Sequence, residues 1–497
     1  MVNTLARLVK QSSIYGIGAV VTPLIGFIML PLYTRALTPE DYGVLAITTV
    51  LQAILSITFT LGMNAGLARI YFSYDLKAER QAVIVSSIIF SGVVLTAIVG
   101  VLWGGTAQVS ALMLDVPQGE LFVKFVLLAS ALNAGVKILL SALRAEERAL
   151  LYTGITIGRF LLTLTGNILF VIVFQRKVRG VLEAGLISHA ISYIVLLGAV
   201  LRGKKLVFSF RKISEILAFG LPLLPAALAA WALNMSNRYF LKHYATVEDV
   251  GLFSLGYKMA SILNILITQP FRMAWGPYMY SVAKKPNAKE IYKRVLVYFV
   301  FVAVWCGLGL SVCAEEALIL LTTPEYYPAA FVVPLLVVGA ILRAIDGILV
   351  AGIHLTNKTH YASLSFIITA GFSLVFNYVG ISYWGMFGAA LATMASHIIL
   401  NVLYFTISQK LYPIRHEYGR LAHLAGLALL LYGASLFIAG NHLLLNLLLK
   451  GLLIMSYPFL LSRTHFYTRE EEAAFTSLVH NRLVPGLYNL RRKWLDT

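Results

Sequence analysis

The stretch Thr38-Pro-Glu-Asp-Tyr-Gly43 returns 208 residues later as Thr246-Val-Glu-Asp-Val-Gly251. At the same shift Ile54-Leu55 matches Ile262-Leu263, and Ser73 matches Ser281. Gly180 matches Gly388, and Ser188-His189 matches Ser396-His397. One constant shift over several separated matches marks an internal duplication. The shift spans six apolar runs. An even number of crossings leaves both copies running in the same direction, as in a parallel repeat about an axis along the membrane normal.

The chain around these copies has 497 residues, of which 59% are hydrophobic and only 12% charged. Soluble domains carry about 25% charged residues. The composition excludes a soluble globular enzyme, a disordered chain and a disulfide scaffold. Its two cysteines, Cys306 and Cys313, stand seven residues apart in one apolar run. On a helix that is about 10 Å of rise, too far for a disulfide. No Cys/His spacing suggests zinc.

A hydrocarbon core needs about 20 apolar residues per crossing. Fourteen such runs are read, the first at 12–34 and the last at 442–461. The expected fold is thus an all-α polytopic membrane protein with two six-helix lobes, 1–200 and 216–408. A basic linker at 201–215 joins them. Two extra helices follow at 409–462, then an amphipathic tail at 463–497. The tail opens on a capping box at Thr468-Arg-Glu-Glu471 and carries Arg491, Arg492 and Lys493, which suit an anionic membrane surface.

The net charge of +18 is explained by topology. With both termini in the cytoplasm, 26 of the 40 Lys and Arg fall in inside segments and 5 in outside ones. Nucleic acid is not needed to account for them. Only the loop Gln175–Arg179 breaks the rule.

Nine cations remain inside apolar runs: Arg69, Lys124, Lys137, Arg159, Arg238, Lys258, Arg272, Arg343 and Lys450. Glu183 and Asp346 are the clearest acids to set against them. An intramembrane charge is costly unless it faces a partner or a wet cavity. Arg69, Lys124, Lys450 and Arg238 can snorkel to an interface. Arg159, Lys258, Arg272 and Arg343 lie deeper, and a cavity that receives an anion such as phosphate accounts for them. Arg343 and Asp346, at i and i+3, share a helix face and read as a neutralised pair or as an ion-coupling site. His189, with Glu183 six residues before it, is a candidate relay or an interhelical hydrogen bond. Pro23, Pro31, Pro222, Pro225, Pro270, Pro277 and Pro334 interrupt runs and predict kinks. No Walker A motif, nucleophile elbow or zinc-protease helix is present.

The opening segment Leu30-Pro-Leu-Tyr-Thr-Arg-Ala-Leu-Thr-Pro-Glu-Asp-Tyr-Gly43 resembles the start of the Wzx-type polysaccharide flippases. These form a branch of the multidrug/oligosaccharidyl-lipid/polysaccharide exporter superfamily. The resemblance implies a bacterial inner-membrane flippase for a polyprenyl-diphosphate-linked oligosaccharide. It implies a cationic central cavity on the first, second, seventh and eighth helices, where Arg35, Arg69, Arg238, Lys258 and Arg272 fall. The last two helices resemble the family's extra pair, which the resemblance implies cradles a lipid tail. No resident cofactor or metal is implied. Coupling to H⁺ or Na⁺ is expected, with Asp346, Glu183 and His189 as candidates, and so are a polysaccharide polymerase and chain-length partners. Rival readings are a lipid II flippase, a cation or drug antiporter of the same superfamily, and a membrane polymerase or ligase. The antiporter favours acidic, aromatic cavities. The polymerase or ligase needs large external loops, and the stretch Gly104–Glu120 is short.

Overall fold

A computed structural model describes residues 27–438, 440, 442–464 and 466–467. Most of the first run, with Pro23, and the tail from residue 468 lie outside these residues. The described residues are helical throughout, with no strand. In chain order they form α1 (Leu30–Ala36), α2 (Pro39–Tyr71), α3 (Lys77–Trp103), α4 (Gly119–Ala145), α5 (Ala149–Val173), α6 (Lys177–Leu201) and α7 (Phe210–Tyr244). Then come α8 (Val247–Val282), α9 (Ala288–Val312), α10 (Pro324–Leu355), α11 (His360–Leu411), α12 (Tyr418–Ser435) and α13 (Leu443–Arg463).

Eleven of these, α2 to α11 and α13, are long and apolar enough to cross a bilayer. They do not map one to one on the fourteen expected runs. α1 is only the described end of the first run. α12 carries Arg420 and His423 within 18 residues and is not among the eleven. α11 covers two expected runs in 52 residues, broken at Gly385 with φ 52° and ψ −132°. That left-handed turn suits glycine. The chain doubles back there, because a Cβ on Gly388 would lie 1.8 Å from the Gly380 carbonyl oxygen.

Proline explains several other breaks. Pro222 sits in a 3₁₀ turn, Leu221–Leu223, that interrupts α7. Pro270 follows a π-helical stretch, Asn264–Thr268, in α8. Pro31, Pro225 and Pro334 instead start helical segments, where a missing N–H costs nothing. The bend in α2 needs no proline: Leu61 and Gly62 both take positive φ. Gly62 there lies against Gly220, so the bends of α2 and α7 adjoin.

The duplicated motif has a local and a tertiary role. Thr38 Oγ1 accepts from the Asp41 N–H at 3.2 Å, and Asp41 Oδ2 accepts from the Thr38 N–H at 3.2 Å. Thr246 and Asp249 repeat this at 3.0 and 3.2 Å. Each capping box stabilises its helix by about 1 kcal/mol and fixes where the helix starts. The two starts then meet. A Cβ on Gly43 would sit 1.9 Å from the Val247 carbonyl oxygen, and one on Gly251 would sit 2.0 Å from that of Pro39. Only glycine allows this backbone-to-backbone contact between α2 and α8.

The contact ties the two copies together on one face of the molecule, called here the capped face. Tyr326 Oη donates to the Leu37 carbonyl at 2.8 Å, and Thr34 Oγ1 to that of Leu321 at 3.2 Å. Thr323 Oγ1 donates to the Thr34 carbonyl at 3.2 Å. Beneath this seal the main core draws on both copies, with Ile47, Leu51, Val250, Phe253, Leu255 and Leu336 buried together.

Two expectations about charge are corrected. Lys450 does not snorkel. It is 6% exposed and ion-paired with Glu316, itself 2% exposed, on the short helix Ala314–Leu321. Replacing Lys450 with Met leaves a buried, unpaired carboxylate and is expected to cost about 3–5 kcal/mol. Thermal unfolding of the detergent-purified protein checks this, and K450M/E316L should regain most of the loss. The second correction concerns Asp346, whose ion-pair partner is Arg272 of α8 and not Arg343.

Candidate functional site

Under the seal lies a cavity of about 460 Å³. α2 contributes Tyr42, Thr48 and Gln52; α5 and α6 contribute Thr163, Asn167 and His189; α7 and α8 contribute Arg238, Tyr257 and Lys258. Tyr33, from α1, completes the wall. The repeated motif therefore does two things at once: its glycines tie the copies together on the capped face, and its Tyr42 lines the space below.

Arg238 is the most enclosed cation of the site. It is 6% exposed, so it does not snorkel. Nη1 donates to Asn237 Oδ1 at 3.0 Å and to the Asn234 carbonyl at 3.2 Å. The guanidinium sits 4.7 Å from the centre of the Tyr257 ring. Lys258 Nζ donates to Tyr42 Oη at 3.3 Å and faces the Tyr33 and Tyr42 rings. Such contacts hold a cation without neutralising it.

A second group stands on the first copy. Lys137 Nζ donates to Ser56 Oγ at 2.5 Å, and Arg159 Nη1 to Asn133 Oδ1 at 3.4 Å. Lys137, Arg159 and His189 lie within reach of one another's charge. Among the described residues no carboxylate lies within 4 Å of Lys137, Arg159, Arg238 or Lys258. Residues 1–26 contain no Asp or Glu, so they supply none either. Unpaired intramembrane cations cost several kcal/mol each. Two of these four, Arg238 and Lys258, line the cavity, and the charge of Lys137 and Arg159 reaches His189 of its lining.

The other candidates lie elsewhere. Arg343 Nη1 reaches Asn234 Oδ1 at 2.7 Å and Tyr257 Oη at 3.4 Å, so it touches the cavity wall from behind. Arg272 is bound to Asp346 and to the Arg343 carbonyl, at 2.6 Å for the latter. Arg35 is exposed beside the seal, and Arg69 is exposed over the Phe219 ring near the α2 and α7 bends. Glu183 is held by Arg176 at 2.8 Å and Arg179 at 2.7 Å, the basic loop that broke the positive-inside count. His189 lines the cavity, with its Nδ1 bonded to the Gly185 carbonyl and not to Glu183. The neighbours Asn133, Asn234, Asn237, Tyr42 and Tyr257 were not singled out in the sequence. Amides and tyrosines in apolar runs were the available signal.

A second space of about 570 Å³ is apolar. α9, α10 and α12 line it with Leu296, Val300, Leu308, Val337, Ile341 and Leu429. It opens beside the helices that follow the second copy.

The polysaccharide biosynthesis protein family model matches residues 32–331, more than half of the chain. Lsg locus putative protein 1 of Haemophilus influenzae is 22% identical over 419 residues, 81% of this chain and 98% of that protein. The probable low-salt glycan biosynthesis flippase Agl15 of Haloferax volcanii is 22% identical over 396 residues, 73% of this chain and 77% of that one. Among solved structures, the lipid II flippase MurJ in an inward closed conformation superposes with a TM-score of 0.73 at 12% identity. That likeness covers 92% of this chain and all of MurJ. An inward-facing multidrug MATE transporter of the MOP superfamily gives 0.64 at 15% identity, covering 81% and 96%. The fold is that of these multi-pass transporters, and the chain belongs to the polysaccharide biosynthesis protein family.

Proposed function

We propose that this protein flips a polyprenyl-diphosphate-linked oligosaccharide from the cytoplasmic to the outer leaflet of the bacterial inner membrane, for surface polysaccharide synthesis. The observation that carries the reading is a cavity lined by Arg238 and Lys258, neither of which has a carboxylate within 4 Å among the described residues, with a second cationic pair, Lys137 and Arg159, whose charge reaches His189 of the lining. A diphosphate is the anion such a site suits, because arginine binds phosphate oxygens in pairs and lysine adds a point charge. The glycan follows into the cavity, and the polyprenyl tail stays in lipid along the apolar groove of α9, α10 and α12.

The capped face is then the outward face, and the cavity loads from the cytoplasm. Residues 1–200 and 216–408 rock as two lobes about the α2–α8 contact, linked by 201–215, and the headgroup leaves outward. Residues 409–462 travel with the second lobe. An H⁺ or Na⁺ gradient resets the cycle, with Asp346 as its sensor. A polymerase and a chain-length partner receive the product.

Transfer of lipid II is the second reading, favoured by the fold likeness and equally served by a diphosphate site. A cation antiporter is disfavoured, since the cavity presents positive charge to its substrate. Deleting the gene with the upstream glycosyltransferases intact tests the first reading. Lipid-linked glycan should accumulate on the cytoplasmic side and surface polymer should disappear. Normal surface polymer would overturn the reading. Accumulation of unpolymerised units outside would point to an enzyme, and loss of peptidoglycan precursor transfer would select lipid II.

A further inference from the structure

We propose that Asp346 is a partner-exchange switch. It holds Arg272 until an anionic headgroup takes the arginine, and it then turns to Arg343. The inference rests on the diphosphate reading above and adds to it a coupling between headgroup capture and helix movement.

The geometry is asymmetric in a way that favours exchange. Arg272 has a side chain 39% exposed, whereas that of Asp346 is 12% exposed. The arginine is therefore open to an anionic ligand, and the aspartate is not. A diphosphate offers several oxygens and more charge than one carboxylate, so it competes well for a guanidinium. Once Arg272 is taken, Asp346 is left buried without its cation, an unfavourable state. Arg343 lies on the same face one turn away, at i−3. Among the described residues it is the other cation whose charge reaches Asp346. The other titratable groups around this cluster, His397 and Tyr404 of α11, carry no full positive charge in their neutral forms.

Arg343 is not idle before the exchange. It ties α10 to Asn234 of α7 at 2.7 Å and to Tyr257 of α8 at 3.4 Å. Turning to Asp346 takes its guanidinium away from both. Capture of the headgroup at Arg272 thus loosens α10 from two helices of the cavity wall. Two discrete pairings of one aspartate make a two-state element that ligand binding biases. The pairing expected from the sequence, Arg343 with Asp346, becomes the second state of the switch.

The test uses the full chain in proteoliposomes, with farnesyl diphosphate as the binding probe and lipid-linked oligosaccharide turnover as the second readout. Asp346→Asn removes the internal competitor. It should bind the probe about tenfold tighter yet turn over more slowly, and Asp346→Glu, which keeps the competing charge, should lose that gain in affinity. Arg343→Gln removes the second partner and should weaken binding about tenfold, and that loss should vanish in D346N/R343Q. The double-mutant comparison stands even if one single variant folds poorly. Unchanged or weaker binding by D346N, with R238A weakened as the cavity predicts, would overturn the switch and leave the flippase reading standing. No binding of the probe by wild-type protein would overturn both.

Discussion

Gly43→Val should abolish transport, at least about a hundredfold, without preventing membrane insertion. The Cβ alone would lie 1.9 Å from the Val247 carbonyl oxygen, a backbone atom that cannot rotate away. The two branches of valine demand still more room. α2 and α8 must separate, and the seal formed with Leu37, Thr34 and Tyr326 opens with them. A penalty of about 5 kcal/mol suffices to invert a 99:1 population. The variant therefore rests open on the capped face and cannot reload from the other. Gly251→Val should behave alike, since its Cβ would meet Pro39 at 2.0 Å. Gly92→Val is the control, because nothing lies within 4 Å of its Cβ position. Two measurements check this: surface glycan in cells, and labelling of Gln52→Cys in a cysteine-free background by an impermeant maleimide. G43V should lose the glycan and gain label from outside. Wild-type turnover with Gln52→Cys still protected would sink the idea.

The duplication made much of this architecture readable. A constant offset survives in sequence because each copy must repeat the same cap and the same close approach. The threonine and aspartate are needed to start the helix, and the glycine to let the other copy in. The contact between the copies was not readable, because the offset reports equivalence and not proximity. Charge was legible in amount but not in pairing. Helical spacing put Arg343 beside Asp346, yet α8 brings Arg272 to the same carboxylate from another part of the chain. Lys450 and Arg238 looked free to snorkel when measured along their own helices. Packing by Glu316 in one case and by Asn237 and Tyr257 in the other removes the route. Glu183 was weighed against His189, but its own loop supplied two arginines closer by. A single helix periodicity carries no information on which neighbour arrives first.

Arg238→Ala should lower transport by about a hundredfold, and the form of the loss separates a substrate ligand from a packing residue. Charge-assisted hydrogen bonds contribute about 1.5–3 kcal/mol each, so losing a two-pronged contact to a diphosphate is of that order. Arg238→Lys keeps the charge but not the fork that holds Asn237 Oδ1, and should fall about tenfold. Arg35→Ala and Glu183→Gln, which alter charges outside the cavity lining, should stay within about twofold of wild type. Arg238→Met is the decisive variant. A methionine fills much of the same space against Phe253 and Tyr257 and removes a costly buried charge. If the arginine served packing alone, R238M would be at least as stable and fully active, because apolar replacement of a buried charge is often stabilising. If it binds the headgroup, R238M is as stable or more so and yet inactive. Thermal midpoint and turnover, measured on the same preparation, then move in opposite directions. That outcome would mean that stability is given up at this position for a negatively charged ligand. An R238M protein that flips at the wild-type rate would remove the cationic cavity from the mechanism.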